Sequence, residues 1–270
     1  MSAGESGAER IAEAFAAARA DRRSAALMPY MMAGHPDLER SRAIARAYVE
    51  GGADLIELGI PFSDPLADGP VIHSAAVAAL RAGVRVDDAL SVAQEIASEV
   101  PAVVMCYANP IYARGLERFI DTLASLGVCG LIVPDLPMEE APATLELCDA
   151  RGIALVPLVA PTTPAQRLAA IGERARGFLY TVGVTGTTGE RASLDETLPA
   201  VVARAKAATA VPVAVGFGIG TPTQAAAAAS AGADGVIVGS RLVRAATDGP
   251  AAVKTLVSEF AGALRDSRLG

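Results

Sequence analysis

The chain is 270 residues long, and its 30 acidic and 23 basic residues leave a formal charge of -7. That balance offers no cationic footprint for a nucleic-acid backbone, and no stretch approaches the roughly 18 consecutive apolar residues of a membrane span. A hydrophobic content of 52% with 4% aromatics and no tryptophan predicts a soluble protein with a large aliphatic core.

The N-terminus mixes Glu5, Glu9 and Glu13 with arginines where a secretory signal would place a basic start and an apolar stretch, so none is expected. After a flexible start at 1–8, residues 9–20 read as a helix. A strand at 27–32 and a helix at 38–50 follow, then a strand at 55–59, a helix start after Gly69-Pro70 that carries His73, and an extra helix at 86–100. Strands at 102–107, 130–133, 154–158, 177–182, 212–216 and 235–238 complete the series, with helical segments at 116–125, 163–171, 194–206 and 221–231. The strands are continuous apolar runs, as in a parallel sheet buried on both faces. Eight strand–helix units without a linker predict an α/β protein: one (β/α)8 TIM barrel over residues 1–270, with an extra N-terminal helix and an extra helix after the second strand. A doubly wound open sheet is the alternative, but the turn Ala33-Gly34-His35-Pro36 lacks its glycine fingerprint.

A barrel builds its active site at the C-terminal ends of its strands. The first and fifth strands end without a charge. Carboxylates gather after the second, where Glu57 leads into a loop carrying Asp64 and Asp68; Asp135 follows the fourth. An ionisable glutamate in a buried strand is costly unless it is paired or protonated. It is therefore either an ion-pair partner of an arginine between barrel and helices, or a general acid/base whose pKa is raised by an apolar barrel mouth. Asp64 before Pro65 and Asp68 before Gly69 also suit ordinary turns.

Glycine-rich turns close the last three strands at 183–189, 216–220 and 239–240, where backbone amides can receive a phosphate. Only two basic residues are lysines, Lys206 and Lys254, both on predicted helices, which argues against Schiff-base chemistry. His35 and His73 alone cannot assemble a metal cluster, so no metal is expected. Cys106, Cys129 and Cys148 are an odd number in apolar segments and read as reduced thiols of a cytoplasmic protein. What remains is carboxylate acid/base catalysis on a phosphorylated ligand: isomerisation, aldol-type cleavage or proton transfer.

The segment Glu57-Leu58-Gly59-Ile60-Pro61-Phe62-Ser63-Asp64-Pro65-Leu66-Ala67-Asp68-Gly69-Pro70 resembles the signature of the tryptophan synthase alpha subunit family. The likeness extends through Met105-Cys106-Tyr107-Ala108-Asn109-Pro110, Pro134-Asp135-Leu136-Pro137, the loop after the sixth strand, Gly216-Phe217-Gly218 and Gly239-Ser240, and covers essentially the whole chain. It implies retro-aldol cleavage of indole-3-glycerol phosphate to indole and glyceraldehyde 3-phosphate. By this resemblance Glu57 is the acid/base, Asp68 accepts the indole N–H, and Tyr180 is the tyrosine beside the glutamate, although a core tyrosine would also suit that position. Tyr30, Met105, Tyr107, Ile132 and Phe217 fall where the family lines its indole pocket, and Gly189, Gly218, Gly239 and Ser240 where it holds phosphate. Counting from Tyr180 makes Thr188 the loop threonine that meets the aspartate, with Thr185 as the other register.

The resemblance also implies a partner. Loops carrying Asp64, Pro65, Asn109 and Pro110, the last two read as a rigid turn, would dock onto a beta subunit in an alpha2beta2 assembly. The pyridoxal phosphate cofactor then belongs to that beta subunit and none to this chain. Competing readings are a stand-alone indole-releasing lyase, a sugar-phosphate isomerase, whose acids usually stand at strands one and five, and a non-catalytic subunit that only stimulates its partner.

Overall fold

The computed structural model describes residues 5–183, 197–216 and 218–266. Its first helix, Gly7–Ala20, starts two residues ahead of the sequence expectation. Ser6 is the reason: its hydroxyl accepts the Glu9 N–H while the Glu9 carboxylate accepts the Ser6 N–H, a reciprocal cap.

The strands are β1 (Ala26–Met32), β2 (Ile56–Gly59), β3 (Ala102–Met105), β4 (Gly130–Ile132), β5 (Ala154–Leu155), β6 (Leu158–Val159), β7 (Leu179–Val182), β8 (Val213–Gly216) and β9 (Gly235–Val238). They run in the order β5-β4-β3-β2-β1-β9-β8-β7-β6 with parallel pairing throughout. This is the predicted barrel with one correction. The strand expected at 154–158 is split, because Pro157 has no N–H to give a ladder. Val156 still donates to the Leu131 carbonyl at 2.9 Å, whereas the Pro157 carbonyl accepts from the Tyr180 N–H at 3.1 Å. The fifth strand thus transfers its hydrogen bonds from β4 to β7 at that point, and the ring closes.

Side chains alternate across the sheet as its period of two requires. Met28, Leu55, Val103, Ile132, Ala154, Tyr180, Ala214 and Ile237 fill the interior, and Ile11 and Phe15 of the N-terminal helix pack against them. The outward set, including Leu27, Ile56, Leu58, Val104, Leu131 and Val236, packs against the surrounding helices. Two helices follow β2, Pro70–Arg81 and Val86–Ala97, the second being the predicted extra one. Two also follow β3, Ala108–Arg114 and Leu116–Ser125. Asn109 and Pro110, expected in a turn, lie in the first helical turn, where proline lacks only an N–H that would find no intrahelical acceptor.

The lysines stand on outer helices, as expected. Lys206 reaches Asp234 at 2.9 Å and Lys254 reaches Glu50 at 2.7 Å. Ahead of β1, the buried Arg23 pairs with Asp54, which also accepts the Leu27 N–H at 2.7 Å. Burial outweighs the arginine and pushes the Asp54 carboxyl up to about 6.

Candidate active site

Glu57 sits on β2 between Leu55 and Gly59, in register with Tyr30 of β1 and Val103 of β3. Its neighbours Ile56 and Leu58 face the helices, so the strand alternation turns Glu57 inward, onto the face shared with Leu55 and Val103. Among the described residues no arginine pairs with it there, so the reading as an ion pair between barrel and helices fails. The residue is 1% exposed, and neither carboxyl oxygen has a hydrogen-bond partner among the described residues. Burial, followed by the charge of Asp68, pushes the carboxyl up to about 8.

Asp68 lies at the end of the β2 loop and is half-buried. Tyr107, just past β3, holds it. The Tyr107 hydroxyl donates to Asp68 Oδ1 at 3.1 Å and accepts the Ala67 N–H at 3.1 Å, and its ring stacks on Phe62 with centroids 5.2 Å apart. Burial raises Asp68 to about 6, opposed by the Tyr107 bond and the nearby His73. The two carboxyls therefore titrate in order. Asp68 ionises first, while Glu57 is still neutral, and the charge it acquires then holds the proton on Glu57. Near neutrality one is mainly a carboxylate and the other mainly an acid, two states set by environment alone.

Tyr30 and Tyr180 lie in the same field. Burial comes first, then Asp68 and Glu57 for Tyr30, and Glu57 and Asp68 for Tyr180; together they raise both phenols far above their ordinary value. Each phenol lies across a glycine. A Cβ on Gly59 would stand 2.0 Å from the Tyr30 hydroxyl, and one on Gly216 would stand 2.6 Å from that of Tyr180. Tyr180 also belongs to the core, its ring 6.3 Å from that of Phe178. The half-buried Met105 packs against both Tyr30's cluster and the interior cluster containing Ile132 and Tyr180, so these four share one apolar wall.

Gly218 adopts φ +52°, a backbone that side chains resist, in the turn after β8. Gly239 caps the helix Ser240–Ala245 after β9, as the sequence suggested, and its Cβ position is 3.9 Å from Tyr30 Cβ. The first amides of that helix have no intrahelical acceptor. Thr185, Thr188, Gly189 and Phe217 lie outside the described residues.

Asp64 and Pro65 stand on the outer part of the β2 loop, where the Ser63 hydroxyl donates to Asp64 at 2.6 Å and Leu66 is 92% exposed. Tyr112, one turn beyond Asn109 and Pro110, is also exposed. His73 is exposed on its helix, and His35 is half-buried, with burial lowering its pKa. Burial pushes the thiols of Cys106 and Cys148 up to about 12, which leaves them unreactive. A cleft of about 680 Å³ opens elsewhere, between the helices Pro142–Ala150 and Ala165–Arg174 against the split fifth strand, and none of Glu57, Asp68 and Tyr180 lines it. Sequence reasoning placed Tyr107 only in a pocket wall and missed its hydrogen bond to Asp68, since the two are 39 positions apart.

A parallel barrel with a neutral buried acid and an ionised carboxylate on neighbouring segments of one strand and its loop defines an acid/base enzyme of the (β/α)8 class. The family model of the tryptophan synthase alpha chain matches residues 15–267. The tryptophan synthase alpha chain of Synechococcus elongatus is 47% identical, over 94% of this chain and 96% of that one, and that of Prochlorococcus marinus is 47% identical over 88% and 86%. A solved structure of Mycobacterium tuberculosis tryptophan synthase aligns with TM-score 0.90 at 42% identity, covering 97% of this chain and 99% of its own. The Legionella pneumophila alpha chain aligns at 0.85 and 36% identity, over 95% and 97%. This chain belongs to the tryptophan synthase alpha chain family, whose reaction is the carbon–carbon lyase step that cleaves indole-3-glycerol phosphate in tryptophan biosynthesis.

Proposed function

We propose that this chain carries out the alpha reaction with Glu57 as the group that both gives and takes the proton. The supporting observation is the buried Glu57 carboxyl, without a hydrogen-bond partner among the described residues and raised to about 8 inside the barrel. Starting protonated, it gives its proton to indole C3. Positive charge then develops toward the ring nitrogen, where Asp68, already ionised, accepts the N–H and interacts more strongly as the ring becomes cationic. The Glu57 carboxylate next takes the proton of the adjacent side-chain hydroxyl, and the carbon–carbon bond breaks to give indole and the aldehyde. One proton leaves Glu57 and one returns, so the cycle closes on a single side chain. Tyr180 packs beside the glutamate. In this reading Tyr30, Met105, Tyr107, Ile132 and Phe217 enclose the ring, and the loop threonine assigned to Asp68 is Thr188, or Thr185 in the other register. The amides of Gly189, Gly218, Gly239 and Ser240 receive the phosphate, which explains how an acidic protein without a nearby lysine binds an anion.

The exposed loop carrying Asp64, Pro65 and Leu66 and the helix start at Asn109 and Pro110 form the proposed contact with a beta subunit, which would hold the pyridoxal phosphate of an alpha2beta2 complex. No described helix is long and apolar enough to cross a membrane, and we assign the chain to the cytoplasm. Cleavage of indole-3-glycerol phosphate with and without a beta subunit tests the reading. Weak activity that the partner raises is expected. High turnover by the chain alone would mark a stand-alone lyase, and no cleavage in either case would mark a non-catalytic subunit.

A further inference from the structure

The helix Ala108–Arg114 starts in an unusual way. Its N-cap residue is Tyr107, whose side chain makes no cap and is instead committed to Asp68 and the Ala67 N–H. Such a position normally holds a short polar residue that accepts a first-turn N–H, and Pro110 adds no donor of its own. The missing acceptor comes from the next βα loop. Asp135 Oδ1 accepts the Ala108 N–H at 2.8 Å. It is presented by a turn in which Leu136 N–H donates to the Val133 carbonyl at 3.2 Å, with Pro134 inside the turn fixing its backbone.

We propose that Asp135 is a positioning residue for the lyase reaction: by capping the helix from outside, it leaves Tyr107 free to reach the mouth and hold Asp68 in place. This rests on the reading of Asp68 as the indole N–H acceptor. Three links carry the effect, Asp135 to Ala108 N–H, the adjoining Tyr107 backbone, and the Tyr107 hydroxyl to Asp68. The far end of the same helix is held separately, by Arg114 to the exposed Asp87. Asp68 is faced by Tyr107, Glu57, Tyr30, Tyr180 and His73, so a displaced Tyr107 removes the bond that lowers its pKa while the groups that raise or oppose it stay.

The test combines a titration that needs no substrate with steady-state kinetics. The Asp68 carboxyl is followed by carbon NMR in the full chain and in the variants Asp135→Ala, Asp135→Asn, Tyr107→Phe, Asp135→Ala with Tyr107→Phe, and Asp87→Asn. Asp135→Ala should move the Asp68 midpoint upward, as Tyr107→Phe does, and lower kcat/KM roughly tenfold, the scale of one charge-assisted hydrogen bond. Asp135→Asn keeps an acceptor oxygen and should restore most of both. The double variant should shift Asp68 no further than Tyr107→Phe alone, and Asp87→Asn should leave it in place. An unmoved Asp68 midpoint in Asp135→Ala would overturn the proposal, even with stability reduced. So would additive shifts in the double variant, an equal shift in Asp87→Asn, or an asparagine variant as defective as the alanine one. A normal set of titration shifts in a protein that fails to cleave indole-3-glycerol phosphate would instead refute the role of Asp68 and leave the capping relay standing.

Discussion

Replacing Glu57 by glutamine isolates the cost of holding an ionisable group inside the barrel. In the fold its carboxyl titrates at about 8, against 4.5 for an ordinary glutamate. A folded-state value above the unfolded one means that the fold prefers the protonated form. Its contribution to stability is complete below the unfolded value and is lost as pH rises from about 4.5 to about 8. At ~1.4 kcal/mol per pH unit, that difference corresponds to a loss on the order of 5 kcal/mol. Glutamine has nearly the same shape and no charge, so Glu57→Gln should lose little over that interval. Any fixed penalty for burying its amide is the same at every pH and cancels in the comparison. Urea or thermal unfolding of both proteins at pH 5, 7 and 9 reads the effect. The variant should gain on the wild type with each step, and between pH 5 and pH 9 the roughly 4 kcal/mol involved should widen the gap in melting temperature by ~7 °C for a chain of this length. Parallel stability curves would show that Glu57 ionises in the fold as it does in water, and the acid role would lose its basis.

The same two carboxyls set the pH dependence of activity. If the proposed roles hold, with Asp68 ionised and Glu57 protonated in the free enzyme, kcat/KM for indole-3-glycerol phosphate should follow a bell with limbs near 6 and 8, and Glu57→Gln should abolish turnover while phosphate binding persists. Gly59→Ala places a methyl group where the Tyr30 hydroxyl now lies, and steady-state kinetics should show a loss of roughly tenfold or more in kcat/KM. Leu66→Asp puts a charge at the exposed tip of the β2 loop; titration calorimetry against the beta subunit should show affinity falling about tenfold. Arg23→Leu strands the buried Asp54 carboxylate and should cost roughly 3 kcal/mol at pH 7. Denaturant unfolding should find a smaller cost at pH 5, where Asp54 is protonated.

The barrel was legible because eight apolar runs, each followed by a helical segment, leave few other ways to bury both faces of a sheet. Glu57 was legible because a lone charge in such a run conflicts with burial. The split of the fifth strand was also written in the sequence, at Pro157, but the apolar residues on both sides masked it. Asn109-Pro110 read as a turn because both residues favour turns, and a proline in the first turn of a helix looks the same when taken alone. The link from Tyr107 to Asp68 and the cap from Asp135 to Ala108 could not be read. They join residues 39 and 27 positions apart, and only the closed barrel brings neighbouring βα loops side by side.

The transfer of hydrogen bonds at Val156 and Pro157 bears on how the protein avoids sticking to itself. Barrels are safe from edge-to-edge association because they have no free strand edge. Here the ring is bridged by a strand that gives one neighbour its first half and the other its second. If that seam opens, the edges it uncovers are β5 and β6, each only two residues long and separated by Val156 and by Pro157, which has no N–H to donate. Such short, interrupted edges give another chain almost nothing to add a strand to, so this seam of the sheet is a poor template for aggregation.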